Sequence, residues 1–181
     1  GSEMCIRDSD KQILKHIVSI DCGAIIEGWH GDAAISIVMP DATEDIHALS
    51  EATQSSLWAG LAQARVGNHL SDIGHAVEEC IRGAGEYGIV EEYVGHGIGS
   101  EMHMHPPVPN YGRPGRGPRL EVGMALAIEP MATMGTSNVQ VLDDQWTVVT
   151  SDGAAAAHWE HSVAMTDDGP WVLTSLEGTR L

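Results

Sequence analysis

Basic residues are scarce in this sequence. The sequence contains nine Lys and Arg residues but 26 Asp and Glu residues, which gives a formal net charge of −17 at pH 7. Such a chain lacks the positive surface that phosphates need, which argues against direct binding of nucleic acid or of an anionic membrane. A free peptide amine would be attracted, although an acidic surface is more often a solubility feature.

Cysteines and long apolar runs are also scarce. The three cysteines, Cys5, Cys22 and Cys80, are too few and too scattered for a disulfide framework or a paired-cysteine zinc site, which fits a reducing cytosol. A membrane-spanning helix needs a run of about 18 apolar residues, and the sequence contains none. We see no fixed-period repeat or interdomain linker in residues 10–181, so we expect one domain there, located in the cytoplasm.

Residues 3–9 read Glu-Met-Cys-Ile-Arg-Asp-Ser, which looks like the translation of a transposon adapter used for sequencing libraries. We therefore expect residues 1–9 to encode no biology. An ordinary polar leader is the alternative. Recovery of the same leader from genomic DNA with a different library chemistry would reject the adapter hypothesis.

A β-hairpin is predicted for residues 16–39, because two apolar stretches, 17–22 and 33–38, flank Glu27-Gly28 as a two-residue turn. In that register Asp32 lies opposite Gly23 and diagonally from Asp21. Residues two apart share one face of a strand, so both carboxylates should point the same way.

Two helices are predicted next. The first begins at a cap near Thr43 and runs to about Ala64, and the second uses Ser71 as its cap and ends near Gly83 and Gly85. A strand at 89–94 leads to a glycine-rich turn, and the proline-rich and glycine-rich segment 106–119 predicts an irregular surface loop. The later predicted strands are 124–128, 139–142, 146–150, 158–166 and 171–174.

Five residues of the kinds that bind metals stand in turn-rich or apolar contexts: Asp21, Asp32, His96, Glu129 and Glu160. Taken alone, each acid is more simply a turn or salt-bridge residue. Together, four carboxylates and an imidazole would be costly to bury without a cation. Oxygen ligands with one imidazole suit manganese, iron, cobalt or zinc, and bridging carboxylates hold two such ions. The set predicts a two-metal hydrolase site.

His96 lies between Gly95 and Gly97, which would let the backbone approach closely and aim the imidazole inward. A phosphate-binding loop is the alternative, but the Lys-Ser/Thr ending is missing. His103 or His105 could donate a hydrogen bond to a developing oxyanion. For His105 the default interpretation is nevertheless a structural or solvated role. The same default applies to His16, His30, His47, His69, His75, His158 and His161.

The ordered set of motifs resembles type I methionine aminopeptidase of the pita-bread metallopeptidases, over about Ile17 to Thr174. The motifs are Val18-Ser-Ile-Asp-Cys-Gly, Gly28-Trp-His-Gly-Asp, Tyr93-Val-Gly-His-Gly-Ile-Gly, His103 seven residues after His96, Ala127-Ile-Glu-Pro-Met, Asp144-Gln-Trp-Thr-Val-Val-Thr and Trp159-Glu-His. Any one of them is weak, whereas the order is specific.

The resemblance implies an α/β (α+β) fold, an antiparallel sheet covered by helices around a central dimetal site. By this resemblance Asp21 chelates one of two divalent ions (Mn, Fe, Co or Zn), Asp32 and Glu160 bridge both, and His96 and Glu129 complete the shell. A water between the ions would hydrolyse the bond that follows an N-terminal methionine.

Further roles are implied for residues around these ligands. Glu129 matches the proton shuttle, and His103 matches the histidine that binds the substrate carbonyl. Met102 and Trp146 match positions near the methionine pocket, with ordinary core packing as the alternative. The implied substrate is the N-terminal peptide of a nascent protein, acted on near the ribosome by a monomer.

Related pita-bread enzymes that cleave before proline share the ligands. Met131 after Pro130 favours the methionine enzyme, the absence of a long helical insert resembles type I, and the loop 106–116 looks actinobacterial. Family members also carry an N-terminal segment with a His-Gly-x-Pro-type motif that this sequence lacks. We therefore expect 10–181 to be one catalytic domain without its N-terminal portion, and a truncated, non-catalytic metal-binding fragment is the other alternative.

Overall fold

The computed structural model describes residues 16–145 and 147–181. Its two helices are α1 (Glu44–Gln63) and α2 (Leu70–Ala84). Its strands are β1 (Ile17–Ile26), β2 (Trp29–Val38), β3 (Gly88–Ile89), β4 (Gly95–Gly97), β5 (Met104–Val108), β6 (Ala125–Ile128), β7 (Met131–Thr133), β8 (Val139–Val141), β9 (Val148–Thr150), β10 (Ala156–His158), β11 (Glu160–Thr166) and β12 (Gly169–Val172).

The predicted hairpin is formed by β1 and β2. Glu27 and Gly28 both have positive φ, 52° and 86°, as the favoured two-residue hairpin turn requires. The register places Gly23 opposite Asp32, as predicted, and Asp21 opposite Ala34. The side chains of Asp21 and Asp32 therefore share one face of the hairpin.

All strand pairs are antiparallel among the described residues. The main sheet has the order β1-β2-β11-β6-β4-β5, with β12 also paired to β11, and two smaller sheets contain β10-β7-β3 and β8-β9. Strands distant in sequence are thus neighbours at the centre of the main sheet.

The two helices cover one face of the main sheet. Leu57 and Leu61 of α1 and Ile73 of α2 are fully buried against strand residues such as Leu126 and Val163. A second cluster joins the same helices to the smaller sheet of β3, β7 and β10. Burial of this apolar surface leaves the polar residues of the opposite face to build the site.

The start of α2 differs from the prediction. The cap is His69, not Ser71, because the Asp72 carboxylate accepts a hydrogen bond from the His69 amide at 2.8 Å and closes a capping box. The Ser71 hydroxyl instead accepts one from the Arg116 amide at 2.8 Å. The predicted bounds of α1 and the predicted end of α2 are confirmed.

Two strand predictions and one loop prediction were wrong in detail. The predicted strand 89–94 reduces to β3, and residues 91–94 lie in an irregular connection. Pro106 and Pro107 belong to β5 rather than to a loop, which a sheet tolerates because β5 is an edge strand. The predicted strand 158–166 is interrupted at Trp159, where β10 of the small sheet gives way to β11 of the main sheet.

Two further short strands were not predicted. β7 pairs with β10 and β3, and β4 replaces the glycine-rich turn predicted around His96, because it pairs with β5 and β6. The other predicted strands are found with small shifts of their ends. Within the part of the chain that the structure describes, neither helix is long and apolar enough to span a bilayer.

Candidate metal centre

The five predicted metal ligands converge on one side of the main sheet. Three groups form, and the ligand atoms of each group lie within 4.8 Å of one another. The groups are Asp21, Asp32 and Glu160; His96, Glu129 and Glu160; and Asp32, His96 and His103. The shared members make this one continuous cluster, to which the structure adds His103.

Three neighbouring strands supply the carboxylates of the first group. Glu160 begins β11 and pairs with Ala34 of β2, and Ala34 also pairs with Asp21 of β1. Residues paired across strands present their side chains to the same face. Asp32 and Glu160 are buried, with 8% and 1% of their surface exposed, whereas Asp21 is exposed.

The orientation of His96 follows from its own strand. Its Nδ1 lies 3.0 Å from the carbonyl oxygen of Gly97, which can only accept, so Nδ1 carries the proton. Nε2 is then free to act as a ligand. It faces Asp32 Oδ2 at 3.8 Å and Glu129 Oε1 at 3.7 Å. The His103 ring stands edge-on to the His96 ring, with centroids 4.5 Å apart.

Glu129 follows β6 directly and is held from two sides. Its carbonyl oxygen accepts a hydrogen bond from Asn110 Nδ2 at 3.0 Å. Its Oε2 lies 3.5 Å from Nε2 of His158, the last residue of β10. Glu129 therefore presents one oxygen to His96 and the other to His158.

The buried carboxylates strongly affect one another's protonation. Burial, followed by the charges of Asp32, Glu129 and Asp21, raises the pKa of Glu160 to about 10. Burial, followed by the charge of Asp21, also raises the pKa of Asp32. Within the described ranges, the ion pairs that Asp32 and Glu129 form are with histidines, not with Lys or Arg.

These observations fit a site for divalent cations. Glu160 Oε1 is buried without a hydrogen-bond partner, and the cluster gathers negative charge that no Lys or Arg of the described part offsets. A cation would supply both the missing contact and the missing charge. Carboxylate oxygens with imidazole nitrogens are donors for Mn, Fe, Co or Zn.

A cleft of about 470 Å³ opens beside the cluster. Its polar part consists of Ser19, Asp21, Glu129, Thr150 and His158. Its apolar lining consists of Val90, Tyr93, Met131, Val139, Val148, Val149, Ala156 and Ala157. The cleft therefore joins candidate ligands to a surface suited to an apolar side chain.

Met102 lies over Gly23 of β1. A Cβ added to Gly23 would collide with Met102 Cε and would lie 3.5 Å from Asp32 Oδ1, which puts the thioether beside the cluster. Trp146, the other residue predicted to lie near a methionine pocket, falls outside the described residues.

Two neighbours of the cluster were not singled out from the sequence. His158 was assigned a structural or solvated role, yet its side chain lies beside Glu129. The signal was its position two residues before Glu160. Asn110 gave no local signal, because its contact with Glu129 depends on the loop that follows β5. His161 fits the structural interpretation, since its Nδ1 lies 2.9 Å from Thr174 Oγ1.

A metallopeptidase-type centre of carboxylates and imidazole is thus what the fold and the cluster define. The chain belongs to metallopeptidase family M24, whose model matches residues 2–167. It is 57% identical to methionine aminopeptidase 1 of Mycobacterium tuberculosis (strain CDC 1551 / Oshkosh) over 163 residues, which covers 87% of this chain and 61% of that protein.

Solved structures also show similarity to methionine aminopeptidases. The crystal structure of methionine aminopeptidase from Thermotoga maritima superposes with a TM-score of 0.85 at 40% identity, covering 88% of this chain and 64% of that one. Prolidase from Pyrococcus furiosus, at 24% identity and a TM-score of 0.71, shares the fold alone. The predicted pita-bread fold and the resemblance to type I methionine aminopeptidase are confirmed. The chain spans somewhat less than two thirds of the length of these methionine aminopeptidases.

Proposed function

We propose that this protein is a two-metal aminopeptidase that removes the N-terminal methionine from newly made proteins. The observation that carries the proposal is the convergence of Asp21, Asp32, His96, Glu129 and Glu160 beside an apolar cleft. The identity to methionine aminopeptidases supports the choice of reaction.

In this proposal Asp21, Asp32, Glu160, Glu129 and His96 Nε2 hold two divalent ions. When bound, such ions lower the pKa of water towards neutrality and polarise a carbonyl group. Glu129, at the edge of both the cluster and the cleft, is placed to accept a proton and return it to the leaving amine. His103 is exposed at the rim and is placed to donate a hydrogen bond to the substrate carbonyl oxygen.

The substrate assignment rests on the cleft and on charge. The apolar lining suits an unbranched, flexible side chain such as methionine, and Met102 lies over Gly23 on the Asp32 side of the cluster. The acidic chain attracts the free amine of a peptide N-terminus. Met131 after Pro130 favours this substrate over Xaa-Pro peptides. We place the enzyme in the cytoplasm near the ribosome, with availability deciding which of Mn, Fe, Co or Zn it uses.

Release of free methionine from Met-Ala-Ser, with added manganese or cobalt, tests the proposal. We would assay this chain and the gene product expressed from genomic DNA of its source locus side by side. Release that a chelator abolishes is expected, and Ala-Pro peptides should be poor substrates. Turnover by the gene product alone would identify this chain as the non-catalytic fragment, and no release by either protein would reject the peptidase assignment.

A further inference from the structure

His158 has a buried ring nitrogen without a hydrogen bond. Only 15% of its side chain is exposed, and Nε2 has no hydrogen-bond partner in the structure. A buried N–H left unpaired costs free energy, so such a group normally has a partner within reach. Oε2 of Glu129, whose side chain is 13% exposed, lies 3.5 Å away.

The backbone of His158 is fixed independently of its ring. The His158 amide donates a hydrogen bond to Ser36 Oγ at 2.9 Å, and Ser36 Oγ donates one to the His158 carbonyl oxygen, also at 2.9 Å. This clamp ties β10 to β2, which carries Asp32. A shift of about half an ångström in the ring would bring Nε2 within hydrogen-bond distance of Glu129.

We propose that His158 is a positioning residue that donates its Nε2–H to Glu129 Oε2 and so turns Glu129 Oε1 towards the cluster. This inference rests on the proposed function, because it assigns Glu129 a role at the metal centre. The opposite tautomer would set a nitrogen lone pair against a carboxylate oxygen, which is repulsive. His158 also belongs to none of the three groups of clustered ligand atoms.

The consequence is a metal site whose affinity depends on a residue that does not bind metal. Partners that orient metal ligands typically contribute about 10- to 100-fold in metal affinity or activity. His158 lines the cleft as well, so a change in KM alone would not separate positioning from substrate contact. Metal binding in the absence of substrate makes that separation.

The test titrates the full chain with Co²⁺, following heat and the visible absorption bands of the bound ion. His158→Ala should weaken Co²⁺ binding about 10- to 100-fold and alter the bands, since Glu129 loses its orientation. His158→Gln places an amide N–H where Nε2 was and should restore most of the affinity. His158→Asn keeps the amide but not the reach and should behave like His158→Ala. His47→Ala, on the exposed side of α1, is the control that should match wild type.

Each outcome decides the matter. Equal Co²⁺ affinity of wild type and His158→Ala would overturn the positioning role and leave the proposed function standing. Failure of His158→Gln to restore the affinity would also overturn it, and loss of one bound ion in that variant would identify His158 as a ligand. No Co²⁺ binding by wild type would overturn the proposed function and this inference with it. Circular dichroism and thermal melting would establish that the variants remain folded.

Discussion

Asp32 and Ser162 are joined by two reciprocal hydrogen bonds across the centre of the main sheet. The Asp32 amide donates to Ser162 Oγ at 3.0 Å, and Ser162 Oγ donates to the Asp32 carbonyl oxygen at 2.8 Å. Both side chains are buried. One hydroxyl therefore satisfies both backbone groups of a candidate metal ligand and fixes β2 against β11.

Ser162→Ala should accordingly damage both stability and the site. Two buried backbone groups lose their partner, so we expect a loss of about 1–3 kcal/mol in the free energy of unfolding. Asp32 would also lose its fixed distance from Glu160, and divalent-ion affinity should fall. Urea denaturation and calorimetric metal titration measure the two effects. Ser55→Ala, at an exposed position of α1, is the matched control, and equal losses in the two variants would contradict the argument.

The hairpin shows how far local sequence determines structure. Turn chemistry at Glu27-Gly28 and the alternation of strand faces define the register that sets Asp32 opposite Gly23, because both signals lie within about 20 residues. The same locality made the ends of α1 predictable. The candidate ligands were recognisable from their immediate neighbours, because Asp21 and Glu129 directly follow apolar stretches and His96 lies between two glycines.

Contacts between distant segments could not be predicted in this way. Ser162 bonds Asp32 across 130 residues, and Asn110, in the loop after β5, donates to the carbonyl oxygen of Glu129 across 19 residues. The break at Trp159 has the same origin, since two different sheets compete for adjacent segments of chain. No local pattern reports such competition.

Glu160 should make the metal-free chain less stable as pH rises. Its pKa is raised from 4.5 to about 10 in the folded state, so above pH 4.5 the folded chain keeps a proton that the unfolded chain releases. The contribution of Glu160 to the free energy of unfolding is therefore greatest below about pH 4.5, and it falls progressively as the pH rises towards 10. The raised pKa of Asp32 acts in the same direction.

Glu160→Gln should flatten this dependence, because the amide stays neutral throughout. Chemical denaturation of the chelator-treated protein at pH 6, 7, 8 and 9 measures the slope. Glu51→Gln, at an exposed position of α1, should keep the wild-type slope. An unchanged slope in Glu160→Gln would contradict the assignment of this dependence to Glu160.

Asp32→Asn should sharply weaken the binding of at least one divalent ion. The substitution keeps the shape of the side chain but removes a charge shared by two of the three ligand groups. Metal content after equilibrium dialysis, measured by mass spectrometry, should fall below that of wild type. Asp143→Asn, in the exposed turn between β8 and β9, should not change it. Unchanged stoichiometry in Asp32→Asn would count against a ligand role.

Two glycines of α2 should respond to alanine in opposite directions. A Cβ on Gly74 would collide with the carbonyl oxygen of Pro109 and lie 2.9 Å from the Tyr111 amide nitrogen, whereas a Cβ on Gly83 would meet nothing within 4 Å. Gly74→Ala should therefore lower the free energy of unfolding by about 1–3 kcal/mol through overpacking. Gly83→Ala should raise it by about 0.5–1 kcal/mol, because alanine restricts the unfolded chain and favours the helix.

The two variants also separate stability from the site. Asn110, between Pro109 and Tyr111, holds the carbonyl oxygen of Glu129, so displacement of this loop by Gly74→Ala should weaken Co²⁺ binding. Gly83→Ala should leave Co²⁺ binding unchanged. Calorimetric titration at a temperature where both variants are folded makes the comparison. Equal Co²⁺ affinities of the two variants would mean that the loop of Asn110 does not position Glu129.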